Sequence, residues 1–319
     1  MKKNLSLFYV LLTTGAITYI LINPFESAYH CSYAVKLCLV SLIPSLFMFM
    51  VLSRILASFS AQGIFKNKTT AFLSRTLQLP ECLIPTCIFG LFSGAPSGAF
   101  AIADIYKKGL CTKSEAERAG ILSNNCSAAF ILGFAGGQFE NRYIGIFILV
   151  ANILATISVY FLLFNENDTS GKSIIENNKT NGSFTDIITG SISDSVTAVI
   201  NMCGYVLFFY TLSAILCDKV TYLMPFPNLS EGVVSATKAI VSICLELTSG
   251  VLSSSATETR LSIILTASSC AFCGLSVILQ VKSIFSKLGL SVKPYLLSRF
   301  LCSLLCPIYT LILMLFSPR

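Results

Sequence analysis

Ser93-Gly94-Ala95-Pro96-Ser97-Gly98 lies in the middle of an apolar run over residues 83–105, and its reading decides the fold. Glycine and proline release the backbone from a helical ladder, and small hydroxyls offer it replacement partners. At membrane depth such backbone is tolerated only where protein or a watery cavity covers it. The flanks tell whether the run crosses the bilayer or turns back. Arg54, Lys66, Lys68 and Arg75 precede it, while Lys107, Lys108, Lys113 and Arg118 follow it. Positive loops favour the cytoplasm, so both flanks belong on one side. The run is therefore expected to be a re-entrant helical hairpin, its tip made by Ser93, Gly94, Pro96 and Gly98.

The rest of the chain supports a bilayer as solvent. Of 319 residues 54% are hydrophobic and only 12% are charged, with a mean hydropathy of +0.77; soluble domains carry about 25% charged residues. The net charge of +7 does not point to nucleic acid, because the basic residues sit in short loops and form no stripe with aromatic platforms. Most of the thirteen cysteines lie inside apolar segments, where cysteine acts as a small hydrophobe. Cys270 and Cys273 form a C-x-x-C, but no second pair accompanies it, and the single histidine, His30, falls in an expected early loop. That pattern argues for packing over metal or redox chemistry. No His-Glu-x-x-His, P-loop or G-x-S-x-G motif is present. The chain is expected to be no enzyme and to need no cofactor or metal.

Clear spanning candidates are 5–22, 35–58, 142–164, 192–217 and 295–316, each long enough for a hydrocarbon core of about 30 Å. The first follows Met1-Lys2-Lys3 and reads as an uncleaved signal-anchor; a cleaved signal peptide is the alternative, with Ser27-Ala28 a poor cleavage site. Residues 118–137 are apolar but interrupted by Ser123-Asn124-Asn125. Residues 238–281 are interrupted twice, at Thr248-Ser249-Gly250 and between Ser268 and Ser276. With 83–105 and 238–258 both treated as hairpins and the N-terminus inside, 16 of the 22 basic residues fall on the inner side. Treated as spans, they leave 13 inside and 9 outside. The hairpin topology has seven transmembrane helices, a cytoplasmic N-terminus and an outer C-terminus.

The order of parts then repeats. After an N-terminal helix and loop (1–34), one unit over 35–164 runs span, hairpin, broken helix, span. A polar linker over 165–190 leads to a second such unit over 191–319. Three full crossings per unit invert the second relative to the first, and paired interruptions in corresponding positions point to a midplane binding site.

Glu246 is the sharpest candidate. A carboxylate within an apolar stretch costs at least about 2.5–3.5 kcal/mol to insert, so it faces a partner or water. It either contacts a solute or ion, or caps the second arm of its hairpin near the expected break at Gly250. Ser123, Asn124 and Asn125 either bind solute at their helix break or tie freed backbone together. Thr248, Ser276 and Gln280, with Gly274 at the second break, are the matching set in the second half. Half-helix N-termini at the tips would favour a polar or anionic group, although a turn without ligand has the same composition. Asp104, Asp194 and Arg299 lie near segment ends and are expected to cap or snorkel.

The combination of Ser93 through Gly98, Lys107 through Arg118, Ser123-Asn124-Asn125, Glu246-Leu247-Thr248-Ser249-Gly250 and Lys293-Pro294-Tyr295 through Arg299 resembles the YlbJ-type sporulation integral membrane proteins. The resemblance spans about residues 35–316. It departs from the family pattern at Ala95, ahead of Pro96, and at Cys126-Ser127-Ala128 after the paired asparagines. That family belongs to the Gate, or nucleoside-recognition, group, whose hairpin-and-broken-helix halves are similar to those of concentrative nucleoside transporters. The resemblance implies a multi-pass protein of the inner (cytoplasmic) membrane, acting in spore cortex formation. It would handle a small polar solute, with or without a coupling ion, or assemble with other sporulation membrane proteins.

Overall fold

The computed structural model describes residues 2–65, 67–141, 143–163, 183–223 and 230–316, and among them every regular element is a helix. The chain opens with α1 (Lys2–Ile22), α2 (Pro24–Leu37) and α3 (Ile43–Ala61), the last two joined by a π-helical turn at Cys38–Leu42. A short amphipathic α4 (Lys68–Leu77) follows, started by reciprocal bonds between Asn67 and Thr70. The first hairpin is α5 (Ile84–Ser93) and α6 (Ser97–Lys107). Next come α7 (Lys113–Ser123), a gap at 124–129, a π-helical turn at Phe130–Ala135 and α8 (Tyr143–Leu163). The second half comprises α9 (Phe184–Leu223), α10 (Glu231–Leu245), α11 (Leu247–Ser255), α12 (Thr259–Phe272), α13 (Gly274–Ser286) and α14 (Lys293–Leu315).

Among the described residues four helical stretches are long and apolar enough to cross a membrane: 143–163, 184–220, 260–286 and 293–315. The count rises to six if each bent pair, α2 with α3 and α4 with α5, forms one span. The protein is thus an all-helical, multi-pass membrane protein. Its core has two centres. One gathers small faces of α8, α12 and α14, with Ala151, Ala155, Ala267 and Cys302 fully buried. The other packs the first hairpin on α7 and α13 through Ile84, Ile102, Ala116 and Phe285. Small residues at such seams let helix backbones approach closely where lipid offers no hydrophobic drive.

Several expectations need correction. The second hairpin breaks at Glu246 and not at Gly250, which lies inside α11. Gly250 is there for close packing, since a Cβ would press on Ser269 and on the Ile243 backbone. The early loop is helix α2, and His30 within it pairs with Asp218 of α9 at 2.8 Å. With Glu26 these form the only grouping of three potential metal ligands among the described residues. Tyr19 and Lys219 already occupy Glu26, so the cluster serves as an ion-pair seam between α2 and α9. Residues 165–182 of the expected linker lie outside the described residues, and 184–190 are the first turns of α9.

Of the segment-end charges, Arg299 is fully buried, while the Asp104 and Asp194 side chains are 32% and 65% exposed. Arg54 belongs to α3, not to a loop, and is buried between Asp194 at 3.1 Å and Asp104 at 3.4 Å, with Phe100 beneath it. A buried arginine needs a counter-charge, and the two more exposed carboxylates from α6 and α9 supply it.

Candidate functional site

Each hairpin tip is seated on the break of the helix that follows it. In the first half Gly94, at φ +82°, brings the chain against Ser127, where a Cβ would lie 2.7 Å from the Ser127 nitrogen. Gly90 and Gly98 face Ser123, and a methyl group on Gly98 would overlap the Ser123 carbonyl oxygen. The Ala95 N–H donates to the Asn125 carbonyl at 2.7 Å, which ties tip to break directly. Pro96 opens α6, where Ser97 Oγ meets Ser93 Oγ at 2.8 Å. In the second half Gly274, at φ +75°, lies against the Glu246 backbone, where a Cβ would come within 2.9 Å of the Glu246 Cα. Only glycine tolerates both the positive φ and that approach.

The two tips and two breaks meet around one cavity of about 40 Å³. Asn125, Glu246, Thr248 and Gln280 bring polar atoms to it, among apolar neighbours such as Met202 and Val206. Glu246 is buried, and its Oε2 accepts the Ser249 N–H at 2.8 Å, so it caps α11. The N-terminal end of that helix favours a carboxylate there. Thr248 lies beside the same carboxylate, and Gln280 Oε1 has no hydrogen-bond partner among the described residues. Gln280 Nε2 reaches only Ser276 Oγ, at 3.4 Å. An unpaired buried amide oxygen costs about 1–3 kcal/mol, and Gln280 carries that cost at the wall of a mainly apolar cavity.

The remaining sequence candidates play other parts. Ser123 and Asn124 are buried but do not line the cavity; their side chains bond the Ala119 and Gly120 carbonyls of their own helix. Ser276 likewise serves Gln280. Asn125 divides its amide. Its Nδ2 donates to the Leu122 carbonyl at 2.6 Å, and its Oδ1 accepts from Thr156 and from Arg299 Nη1, both at 2.7 Å.

Arg299 and Thr156 were not among the expected site residues. Arg299 also reaches the Ile121 carbonyl at 3.3 Å. The guanidinium is therefore solvated by an amide oxygen and by carbonyls at the C-terminal end of α7, where the helix dipole is negative. One signal was available in the sequence: a basic residue six positions into an apolar helix with no acid near it.

A water needs about 10–15 Å³ of such volume, so the cavity takes about three waters or one small ion. Cavities for drug-sized ligands run to about 300–1,000 Å³. Set against models of protein families, curated proteins and solved structures, the chain matches none of them.

Proposed function

We propose that the protein is a transporter-like membrane protein of the Gate group that handles a small polar solute across the cytoplasmic membrane during spore cortex formation. In this reading seven transmembrane helices and two re-entrant hairpins form an inverted repeat like that of concentrative nucleoside transporters. The N-terminus is cytoplasmic and the C-terminus outside. Glu246, Thr248, Gln280 and Asn125 contact the solute or its coupling ion. The observation that carries the proposal is the convergence of both tips and both breaks on one cavity, with Gln280 Oε1 lacking any partner.

The decisive variants keep shape and remove chemistry. Glu246→Gln and Gln280→Met are expected to leave protein abundance in the sporulating membrane unchanged while lowering the yield of heat-resistant spores at least about tenfold, the loss that follows from about 1.4 kcal/mol at the site. Falling abundance with proportionate spore loss would instead favour a second reading, an assembly protein whose polar groups lock helices together. The Arg299–Asn125–Thr156 cluster is what favours that reading.

Topology gives an independent check. Single cysteines placed at Lys68 and Lys113, in a variant freed of its native cysteines, are expected to react with an impermeant maleimide from the same side of the membrane. Labelling from opposite sides would end the hairpin description of 83–105.

A further inference from the structure

The central cavity is not isolated. Met202 and Gln280, which line it, also line a second cavity of about 200 Å³ between α6, α9 and α13. Phe100, Asn201 and Lys287 carry that space on into a third, of about 280 Å³, bounded by Arg54, Asp104, Lys107 and Asp194. Through these shared lining residues the three adjoin along a cleft from the hairpin tips to the end of α6. That end is flanked by Lys107 and Lys108, the side that loop charge assigns to the cytoplasm.

Arg54 stands across the cleft. Its Nη1 serves two carboxylates at once, Asp104 on the first hairpin and Asp194 on α9, at 3.4 and 3.1 Å. Its Nε–H is buried and has no hydrogen-bond partner. Charged donors of this kind are costly to bury unsatisfied, and a guanidinium is shaped for a two-oxygen anion. The two aspartates are unequally held: the Asp194 side chain is 65% exposed and that of Asp104 is 32% exposed. Asp194 can therefore turn to water with little loss. Lys107 and Lys287, both exposed on the rim, add positive charge and form no ion pair within 4.0 Å among the described residues.

We propose that this cleft is the cytoplasmic vestibule of the central cavity and that Arg54 reads anions in it, a carboxylate- or phosphate-bearing solute displacing Asp194 from the guanidinium. Because Arg54 joins the first hairpin to α9, that displacement also unlatches the two halves at the vestibule. The proposal rests on the reading of the central cavity as a solute site and supplies its solute class.

The test uses purified full-length protein in nanodiscs, with inorganic phosphate, succinate, neutral uridine and the cation putrescine as probes, followed by isothermal calorimetry and thermal shift. Phosphate or succinate is expected to bind, and uridine and putrescine are not. Asp194→Asn removes the competitor and is expected to lower the anion Kd about fivefold, the scale of one partly exposed charge pair. Lys287→Glu is expected to raise it. Arg54→Gln should abolish binding; because it strands two carboxylates and can impair folding, the gain in Asp194→Asn carries the decision. An unchanged or weaker Kd in Asp194→Asn, or preferential binding of putrescine, overturns the proposal. Anion binding that responds to Asp194→Asn while Glu246→Gln and Gln280→Met sporulate normally would retain the vestibule and dismiss the central site. Absence of anion binding alongside a sporulation defect in those two variants would do the reverse.

Discussion

Arg299→Met is expected to lower the stability of the folded protein by about 3 kcal/mol, from the loss of charge-assisted bonds worth about 1.5–3 kcal/mol each. Methionine fills much of the same volume and removes the charge cleanly, so the loss measures the bonds and not a stranded ion. The guanidinium joins three elements: α14, which carries it, the break after α7 through Asn125 and Ile121, and α8 through Thr156. Without it the Ile121 carbonyl loses its donor at the negative end of α7, and Asn125 Oδ1 keeps only the Thr156 hydroxyl. Arg299→Lys should recover part of the loss, because an ammonium restores charge but not the fork. Thr156→Val should cost about 1 kcal/mol, one ordinary hydrogen bond. Thermal unfolding in detergent ranks the three. An Arg299→Met protein that melts with the parent would show that the cluster contributes nothing to holding α7, α8 and α14 together.

Gly98→Ala should be comparably damaging for a different reason. The new methyl would overlap the Ser123 carbonyl oxygen, and the obstacle is backbone, which cannot swing aside as a flexible side chain would. Either α6 or the end of α7 must shift, and overpacking of this kind costs about 1–3 kcal/mol, occasionally more. The upper end is expected here, because the first hairpin also packs on Ser123 through Gly90. Gly204→Ala is the control. It lies inside α9 with open space around its Cα, so alanine should be neutral or stabilising by up to about 1 kcal/mol. Equal melting temperatures for Gly98→Ala and the parent would mean that tip and break are not in contact.

How much of this was readable from residues alone depends on which physical signal each feature leaves. The tip at Ser93–Gly98 and the breaks at Ser123-Asn124-Asn125 and Gly274 were legible because glycine, proline and amides interrupt an apolar run. The second tip was misplaced by four residues, from Glu246 to Gly250. Glycine marks either a turn or a close approach, and composition does not tell these apart. Glu246 was expected either to meet a solute or to cap its helix; it caps α11 and lines the cavity as well. The sequence reads Arg54 as a loop charge and Asp104, Asp194 and Arg299 as capping or snorkelling segment ends, because their partners are far off in sequence. Asp194 is 140 positions from Arg54, and Arg299 is 174 positions from Asn125. Pairing at that separation leaves no local pattern. Helix α2 was missed because His30, Glu26 and Lys36 dilute its apolar character, although Pro24 at its first turn is a helix-start signal.

The glycine seats have a mechanical consequence. Where Gly94 meets Ser127 and Gly274 meets Glu246, backbone rests on backbone, with no side chain between to bend or change rotamer. Such a joint has no soft mode: it is closed, or it is lost within an ångström as its dispersion contacts vanish together. Each hairpin and its broken helix therefore travel as one stiff part. Compliance is left to the longer side chains along α3 and α9, where Arg54 and Met202 lie. Any motion that opens the central cavity has to carry these stiff parts past that surface whole, like a bolt sliding in its housing.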